Sequence, residues 1–359
     1  MSSFSLPAYT ARHEGALDTV GDVCRRFGTK VWVIGGHTAL SVSRARIEAS
    51  LASAGLTLLA VDWFGGLCSL ENVAAQAARA RALGAEMIVA VGGGKAIDTG
   101  KSTANELHLP VITIPTIAAT CAAFSAVTAR YKADGHFLDV QHLAFAPNAI
   151  IIDSGIIAAS PARWLTAGMG DTLAKWYEIR AINAGREPDG GSMSAMMNGR
   201  LCYDLIERFG AQAMAAQAAG RAGTALDNVL DSIFIYAGMT SIMGVGVHSA
   251  AAHGVFEGFT VLDKTRELGH GFLVGYGNLV LLALEKRSDA ELLEAIRLAK
   301  ACGVAFQLDQ LAPLTRSELQ LVAEAAAKTV DMHNMPFAIT ADNIVEAMLR
   351  VESLGKSER

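Results

Sequence analysis

Residues 87–101 read MIVAVGGGKAIDTGK, and this sequence indicates the architecture of the first part of the chain. The apolar run Met87–Val91 is typical of a strand that is buried on both faces of a parallel sheet. Three glycines, Gly92 to Gly94, follow directly, and a helix-compatible segment begins near Lys95. A strand, a glycine turn and a helix start predict an anion-binding loop, because glycine lets a phosphate approach the free N–H groups of the first helical turn.

Two charged residues support this hypothesis. Lys95 adds a positive charge beside the turn, and we expect Asp98 to lie in the first turn of the helix, where the helix dipole favours a carboxylate. The spacing is that of neither the G-x-G-x-x-G motif nor the Walker motif, since Ile97 stands where a third spaced glycine would be. A plain tight turn therefore remains the alternative.

Strands and helices alternate on both sides of this stretch. KVWVIGG, residues 30–36, predicts a first parallel strand that also ends in glycines. The other predicted parallel strands are Thr57–Trp63, Pro110–Ile114 and Ala149–Asp153. Helical segments of ten or more residues separate the first of these strands, which predicts βαβ units and a Rossmann-like parallel sheet. Ligands of such sheets bind at the carboxyl ends of the strands, where both glycine turns lie.

The pattern changes after residue 115. Ala126–Tyr131 and His136–Val140 alternate apolar and polar residues around an Asp-Gly pair, which predicts a hairpin. Beyond Pro161 we find only Ala-, Leu- and Met-rich helical segments. The sequence therefore predicts an α/β domain over residues 1–160, for dinucleotide binding, and an all-α domain over residues 161–359, for metal and substrate binding.

Composition excludes several classes of function. The chain has 359 residues, of which 52% are hydrophobic, but we find no apolar run of the roughly eighteen residues that span a membrane. The net charge of −5 and the lack of a basic stripe argue against nucleic-acid binding. The five cysteines lack C-x-x-C spacing and the N-terminus lacks signal-peptide features, which favours a cytoplasmic protein with reduced thiols. Alanine-rich helices with few charges favour a homo-oligomer, a dimer or larger.

Three polar residues stand out in the helical half. Asp171 follows Gly-Met-Gly and is expected to open a helix, His253 lies in a small-residue helix, and His270 lies between two glycines at a turn. Alone, each is explained by a helix-terminal carboxylate or a hydrogen-bonded core histidine. Together, one carboxylate and two imidazoles suit a divalent metal with open positions, and zinc and ferrous iron are both compatible. Non-haem iron oxygenases use the same trio, so these ligands do not specify the reaction.

Over nearly its whole length the chain resembles the iron-containing alcohol dehydrogenase superfamily, and within it the glycerol dehydrogenase branch. The motifs that carry the resemblance are VGGGKAIDTGK, PTIAATCAAFSAVTARY, GMGDTLAKWYE, the AAAH and GH pair, and HNMP at 333–336. The runs 115–121 and 171–178 are most similar to hydroxycarboxylate dehydrogenase A, a relative that reduces 2-oxo acids. The resemblance implies a dehydroquinate synthase-like fold with a cleft between the dinucleotide domain and the helical domain.

The resemblance also implies roles for individual residues. It assigns the metal to Asp171, His253 and His270, which would act in catalysis through that metal. It assigns the NAD(P)(H) cofactor to a longer set: Gly36, His37, Gly92, Gly93, Gly94, Lys95, Asp98, Thr116, Thr120, Ser125, Val127 and Tyr131. The branch carries an acidic residue at position 36 that favours NAD, and Gly36 has no charge, so we expect NADPH to be accepted at least as well as NADH.

Three departures from the family pattern concern the substrate. Cys121 stands where glycerol dehydrogenases carry an acidic residue, Phe256 replaces the second histidine of a His-x-x-His motif and precedes Glu257, and Phe272 follows the Gly after His270. Loss of the acid at position 121 favours a substrate that carries its own carboxylate. The three changes leave the metal ligands intact and make the pocket more apolar. Cys121, Phe256 and Glu257 are therefore the candidate substrate residues.

The preferred hypothesis is a metal-dependent NAD(P)(H) oxidoreductase that transfers hydride between nicotinamide and a small 2-oxo or 2-hydroxy acid, or a related alcohol. A glycerol or polyol dehydrogenase is the first alternative, which Cys121 weakens. A dehydroquinate synthase-like lyase is the second, but it needs a dense set of basic side chains, and the helical half offers only scattered candidates: Arg163, Lys175 and Arg180. An inactive relative is the alternative interpretation of the three departures. A non-enzymatic binding protein is the least favoured alternative, because three separated ligand-type residues would then be coincidental.

Overall fold

A computed structural model describes residues 5–243 and 249–358. These residues form two compact units. The first contains the described residues up to Pro161 together with Ala216–Leu230, and the second contains Ala162–Ala215 and the residues from Asp231 onward. The sequence predicted a single boundary at residue 160 and gave no sign that a later segment packs with the first unit.

Side-chain contacts explain why Ala216–Leu230 belongs to the first unit. The Gln217 amide donates to the carbonyl oxygens of Ile157, at 3.1 Å, and Ser160, at 2.9 Å. Asp227 forms an ion pair of 3.1 Å with Arg12. The segment is thus held by contacts far apart in sequence.

The first unit contains all the described strands of the chain. They are β1 (Tyr9–His13), β2 (Lys30–Gly35), β3 (Thr57–Trp63), β4 (Met87–Gly92), β5 (Val111–Pro115), β6 (Val127–Tyr131), β7 (Phe137–His142) and β8 (Ala149–Asp153). Six of them form a parallel sheet in the order β1-β8-β5-β4-β2-β3, and β6 and β7 form a separate antiparallel hairpin. The α/β architecture predicted from the sequence is confirmed.

The helices lie around this sheet and make up the second unit. They are α1 (Val20–Cys24), α2 (His37–Ser53), α3 (Leu70–Leu83), α4 (Gly94–Leu107), α5 (Ser154–Ala158), α6 (Arg163–Ile182), α7 (Gly190–Ala218), α8 (Thr224–Leu230), α9 (Ala237–Met243), α10 (Ala251–Phe259), α11 (Asp263–Arg266), α12 (His270–Leu284), α13 (Asp289–Ala301), α14 (Arg316–Ala326) and α15 (Ala341–Gly355). A π-helical turn, Asp231–Tyr236, joins α8 to α9. No helix in the described part of the chain has the length and apolar character that crossing a membrane requires.

One strand was missed. The sequence predicted Lys30–Gly36 as the first strand, but β1 precedes it and pairs in parallel with β8, with Tyr9 opposite Ala149. The sequence of β1, YTARH, has no apolar run, and only Ala11 within it is buried. An edge strand needs little apolar surface, so the hydrophobic pattern that revealed the central strands was absent here.

Both faces of the sheet are covered, which explains its continuous apolar strands. Successive residues of β2 point to opposite faces: Val31 and Val33 pack in a cluster with residues of α1 and α2, whereas Trp32 and Ile34 pack with residues of α3 and α4. All four side chains are buried. A strand with two buried faces cannot show the alternating pattern of a half-exposed one.

Glycines let the helices of the second unit approach closely. A Cβ added at Gly170 of α6 would lie 2.6 Å from the Gly271 carbonyl oxygen of α12. A Cβ at Gly277 of α12 would lie 2.4 Å from the Ala252 carbonyl oxygen of α10. Both neighbours are backbone atoms, which cannot move aside as a flexible side chain can. Helix α12 therefore packs backbone to backbone against both α6 and α10.

We expect Gly277→Ala to destabilise the second unit, because the added methyl group overlaps the Ala252 carbonyl oxygen. Overpacking of this kind costs about 1–3 kcal/mol. Gly190→Ala is a matched control, since its Cβ would meet no atom within 4 Å. Thermal unfolding should show a lower midpoint for Gly277→Ala alone. Equal midpoints for the two variants would contradict this account of the helix packing.

Candidate active site

Three helices of the second unit place the predicted metal ligands. Asp171 lies in α6, His253 in the first turn of α10, and His270 is the first residue of α12. One possible ligand atom from each side chain lies within 4.8 Å of the other two. The structure therefore brings together three residues that are far apart in sequence.

The local structure around Asp171 differs from the prediction. We expected Asp171 to open a helix after Gly168-Met-Gly, but α6 begins at Arg163 and Asp171 lies in its interior. The glycines lie inside α6 and do not end it. Gly170 serves instead to let α12 pack closely against this helix. Its place within the helix puts the carboxylate in a buried position, with only 4% of the side chain exposed.

The distances within the trio suit a shared ligand. The Nε2 atom of His270 lies 3.2 Å from the Asp171 Oδ1 atom, and the Nε2 atom of His253 lies 3.6 Å from the same oxygen. The two imidazole ring centres are 5.2 Å apart. The His253 side chain is 12% exposed and that of His270 is 37% exposed, so the group is reached from the His270 side.

Sequence reasoning missed the residue that orients His253. The Glu178 Oε2 atom lies 2.7 Å from the His253 Nδ1 atom, and Glu178 Oε1 accepts the backbone N–H groups of Ala250, at 2.7 Å, and His253, at 3.0 Å. This fully buried carboxylate fixes the imidazole so that Nε2 faces Asp171. Carboxylates play this role behind many metal-bound histidines. Its seven-residue spacing from Asp171, which places both on one helix face, was the available signal.

Burial and neighbouring charges set the protonation states of the trio. Burial lowers the pKa of His253, but the carboxylates of Glu178 and Asp171 outweigh it and raise that pKa to about 10. Burial raises the pKa of Asp171, but Lys175 and the two histidines hold it well below its usual value. A metal would therefore displace a proton from His253. A buried carboxylate and two oriented imidazoles match the donor set of a zinc or ferrous site with open positions.

Two candidate substrate residues lie on α10 after His253. The Phe256 ring packs edge-on against the His270 imidazole, with ring centres 4.4 Å apart. Glu257 follows, and burial, together with the charge of Asp331, raises its pKa to about 7. Phe256 thus gives the trio an apolar neighbour in place of another imidazole.

The order of the strands places the two glycine turns side by side. Strand β2 lies between β3 and β4, so the chain changes direction across the sheet between β2 and β4. Nucleotides bind at such a switch point in open α/β sheets. The Gly36 N–H group, after β2, donates to the Val91 carbonyl oxygen of β4 at 3.3 Å. The predicted cofactor residues Gly36 and His37 therefore lie beside Gly92–Gly94.

The glycine loop, Gly92–Gly94, opens α4. Gly93 is the N-cap of α4 and no side chain caps the helix, so its first N–H groups have no side-chain acceptor. Gly92 has a φ angle of +146°, which favours glycine. A Cβ at Gly93 would lie 2.7 Å from the Ile117 Cδ1 atom. The turn itself therefore requires glycine at position 92, whereas the close neighbour of Gly93 is the end of a flexible side chain.

The segment after β5 packs against the glycine loop and carries the remaining predicted cofactor residues. The Thr116 N–H group donates to the Gly92 carbonyl oxygen at 3.1 Å. A Cβ at Gly94 would lie 3.7 Å from the Thr120 Oγ1 atom, and the Lys95 Nζ atom lies 5.4 Å from the centre of the Tyr131 ring. Ser125, Val127 and the buried Cys121 belong to the same segment.

Asp98 lies elsewhere than predicted. Because α4 already begins at Gly94, Asp98 falls beyond its first turn. Its carboxylate is buried, accepts the Ala129 N–H group at 3.1 Å and forms an ion pair of 3.0 Å with Lys101. Burial raises the pKa of Asp98. Asp98 thus pairs with Ala129 and Lys101 inside the protein, and it does not lie where it would interact with the N-terminal end of the helix dipole.

An aromatic neighbour of the glycine turns was not predicted. The indole of Trp63, the last residue of β3, stacks on the His37 imidazole with ring centres 5.3 Å apart and an angle of 7° between the planes. About half of the Trp63 surface, 48%, is exposed. The position of Trp63 at the end of a predicted strand was the signal that pointed to it.

Known proteins share this fold and are similar in sequence over most of the chain. The model of the iron-containing alcohol dehydrogenase family matches residues 7–154. A glycerol dehydrogenase of Pseudomonas putida is 36% identical over 352 residues, which cover 95% of this chain and 94% of the relative. Hydroxycarboxylate dehydrogenase A of Escherichia coli K12 is 30% identical, covering 97% of this chain and 96% of the relative. The crystal structure of a probable glycerol dehydrogenase from Sinorhizobium meliloti 1021 superposes with a TM-score of 0.88 at 29% identity, covering 99% and 100% of the two chains.

The chain belongs to the iron-containing alcohol dehydrogenase family and is an oxidoreductase. The resemblance stated from the sequence motifs is confirmed. Membership of this family implies a nicotinamide dinucleotide cofactor and a metal ion.

We expect His253→Ala to abolish binding of a divalent metal and Glu178→Gln to weaken it by about 10- to 100-fold, since loss of an orienting carboxylate has effects of that size. Titration of the metal-free protein with zinc or ferrous iron measures both. His333→Ala is the matched control, because His333 is exposed and lies outside the trio. Metal binding by His253→Ala at wild-type strength would show that the trio is not the metal site.

Proposed function

We propose that the chain is a metal-dependent NAD(P)(H) oxidoreductase that transfers hydride between nicotinamide and a small 2-oxo or 2-hydroxy acid, or a related alcohol. The observation that carries the proposal is the meeting of Asp171, His253 and His270 on three helices, with Glu178 behind His253. The glycine loop at the switch point of the sheet supports the dinucleotide half of the proposal.

The residues have distinct parts in this reaction. Asp171, His253 and His270 would hold the metal, and Glu178 keeps the Nε2 atom of His253 directed at it. The first N–H groups of α4 would bind the pyrophosphate, with Lys95 adding positive charge. When bound, the metal supplies Lewis acidity toward the substrate oxygen and the nicotinamide supplies the hydride. We propose zinc or ferrous iron, since the donor set suits both.

The substrate preference rests on charge. Cys121 contributes no negative charge, and Phe256 presents an apolar ring beside His270. A carboxylate at position 121 would repel an anionic substrate and accept the hydroxyl groups of a polyol. Its absence favours an acid over a polyol.

Glycerol or another polyol is the second candidate substrate. The observation that favours it is similarity over almost the whole chain, which is higher to the glycerol dehydrogenase of Pseudomonas putida, at 36% identity, than to hydroxycarboxylate dehydrogenase A, at 30%. The single residue at position 121 and the overall identity therefore point to different substrates.

A substrate panel with variants at position 121 separates these candidates. We expect the metal-loaded wild-type enzyme to reduce small 2-oxo acids with NAD(P)H and to oxidise glycerol poorly, as followed by nicotinamide absorbance. Cys121→Asp should lower kcat/KM for 2-oxo acids by about tenfold or more, because a repulsion of about 1.4 kcal/mol in the transition state has that effect.

Cys121→Asn is the matched control, since it is of the same size as aspartate but uncharged, and it should retain more of the activity on acids. A wild-type enzyme that oxidises glycerol and ignores every 2-oxo acid would favour the polyol alternative. Activity on neither class would contradict both candidates.

We also propose that NADPH is accepted at least as well as NADH, because Gly36 offers no carboxylate to bind the ribose hydroxyls or repel a 2′-phosphate. Gly36 has a φ angle of −74°, and a Cβ added there would lie 3.8 Å from the nearest atom, in Phe64. Position 36 thus has room for a side chain without strain.

Gly36→Asp should shift the preference toward NADH by roughly 1–2 kcal/mol, the scale of one hydrogen bond gained and one repulsion added. Gly36→Asn keeps the hydrogen bond and omits the charge, so its shift should be smaller. The measurement is the dissociation constant of each cofactor. A wild-type protein that rejects NADPH would show that another acidic side chain guards the ribose.

A further inference from the structure

Lys101 is a fully buried cation at the centre of a set of contacts within the first unit. Its Nζ atom donates to the carbonyl oxygens of Ala122, at 2.6 Å, Ser125, at 3.1 Å, and Val127, at 2.6 Å. The Asp98 Oδ1 atom lies 3.0 Å from the same nitrogen, and the Lys101 side chain has no exposed surface. The three carbonyl groups lie in a 3-10 turn (Ala122), in the loop after it (Ser125) and at the first residue of β6 (Val127), and they converge on a single ammonium group.

That segment, residues 117–131, is the wall that faces the glycine loop. A Cβ at Gly93 would lie 2.7 Å from Ile117 Cδ1, and a Cβ at Gly94 would lie 3.7 Å from Thr120 Oγ1 and 3.8 Å from Ala122 Cβ. Side chains of the wall thus lie in van der Waals contact with the space that a side chain at Gly93 or Gly94 would occupy. A small displacement of the wall would change the space open to an anion at the start of α4.

The charge of Lys101 suits it to hold this wall. Between the end of β5 and the start of β6 the wall contains only a short 3-10 turn, Cys121–Ala123, so the carbonyl groups of Ala122 and Ser125 lie outside any sheet ladder. An ammonium group donates three hydrogen bonds and binds carbonyl oxygens from several directions. Hydrogen bonds to a charged donor are stronger than those between neutral groups. Asp98 balances the buried charge and also accepts the Ala129 N–H group.

We propose that Lys101 is a positioning residue for the dinucleotide: from within α4, it holds residues 117–131 at a fixed distance from the glycine loop. This inference rests on the proposed function, since it takes the ligand of the loop to be NAD(P)(H). Helix α4 then has two roles: its first N–H groups bind the pyrophosphate, and its Lys101 positions the wall on the opposite side of the anion site.

The test compares three variants with the wild-type protein. Lys101→Met alone would leave Asp98 as an unpaired buried charge, which is strongly destabilising. The working variant is therefore Lys101→Met combined with Asp98→Asn. Asp98→Asn alone is its reference, because Lys101 keeps its three carbonyl acceptors in that variant. Thr103→Val controls for loss of a buried hydrogen bond in α4 that does not reach the wall, since Thr103 Oγ1 donates to the Thr99 carbonyl oxygen.

Relative to Asp98→Asn, the double variant should bind NADPH and NADH at least tenfold more weakly in calorimetry. Amide hydrogen exchange should accelerate within residues 117–131 and stay unchanged in strands β2 and β4. Thr103→Val should match the wild type in affinity. A merely structural role of Lys101 predicts instead a lower melting temperature and faster exchange throughout the sheet.

Each result decides between these readings. A double variant that binds like Asp98→Asn, or that loses protection across the whole sheet, overturns the positioning role of Lys101 while leaving the proposed function intact. A wild-type protein that binds neither NADPH nor NADH contradicts the proposed function, and this inference with it.

Discussion

The close approach of α12 to α6 and α10 is the constraint on which the candidate metal centre depends. Gly170 and Gly277 stand where any side chain would meet the backbone of the next helix. Because these helices touch through backbone, the short side chains of Asp171, His253 and His270 reach one another. Larger residues at the glycine positions would separate the ligands. The small-residue composition of the helical half is thus a condition of its chemistry as well as of its packing.

The parallel sheet positions the two glycine turns of the proposed dinucleotide site. Strands that run in one direction end at one edge, so the glycine turns after β2 and β4 become neighbours although more than fifty residues separate them. The hydrogen bond from Gly36 to Val91 fixes this contact. Strand order therefore decides which residues share the edge of the sheet where we propose that the cofactor binds.

Hydrophobic pattern and punctuation predicted the central strands, the hairpin and the helical half, because buried strands and glycine turns leave local signals. The edge strand β1 left none, since its burial comes from contact with β8. Asp171 and Asp98 were placed at helix starts because of glycines beside them, yet both helices begin earlier. The return of Ala216–Leu230 to the first unit depends on distant contacts with Arg12 and Ile157 that no local pattern encodes.

The residues that sequence reasoning missed have a common physical character. Glu178 and Lys101 are fully buried ions that orient neighbouring groups, and although both lie within the quoted motifs, the motifs assign neither a role. Burying a charge is costly unless several partners share it, and each of these ions has at least three. Glu178 holds the candidate ligand His253 in one orientation. The carbonyl groups that Lys101 binds belong to the segment that faces the glycine loop. Helix spacing can place such an ion on the face of a candidate ligand, as it does for Glu178 and Asp171, but only the folded chain shows which polar groups converge on it.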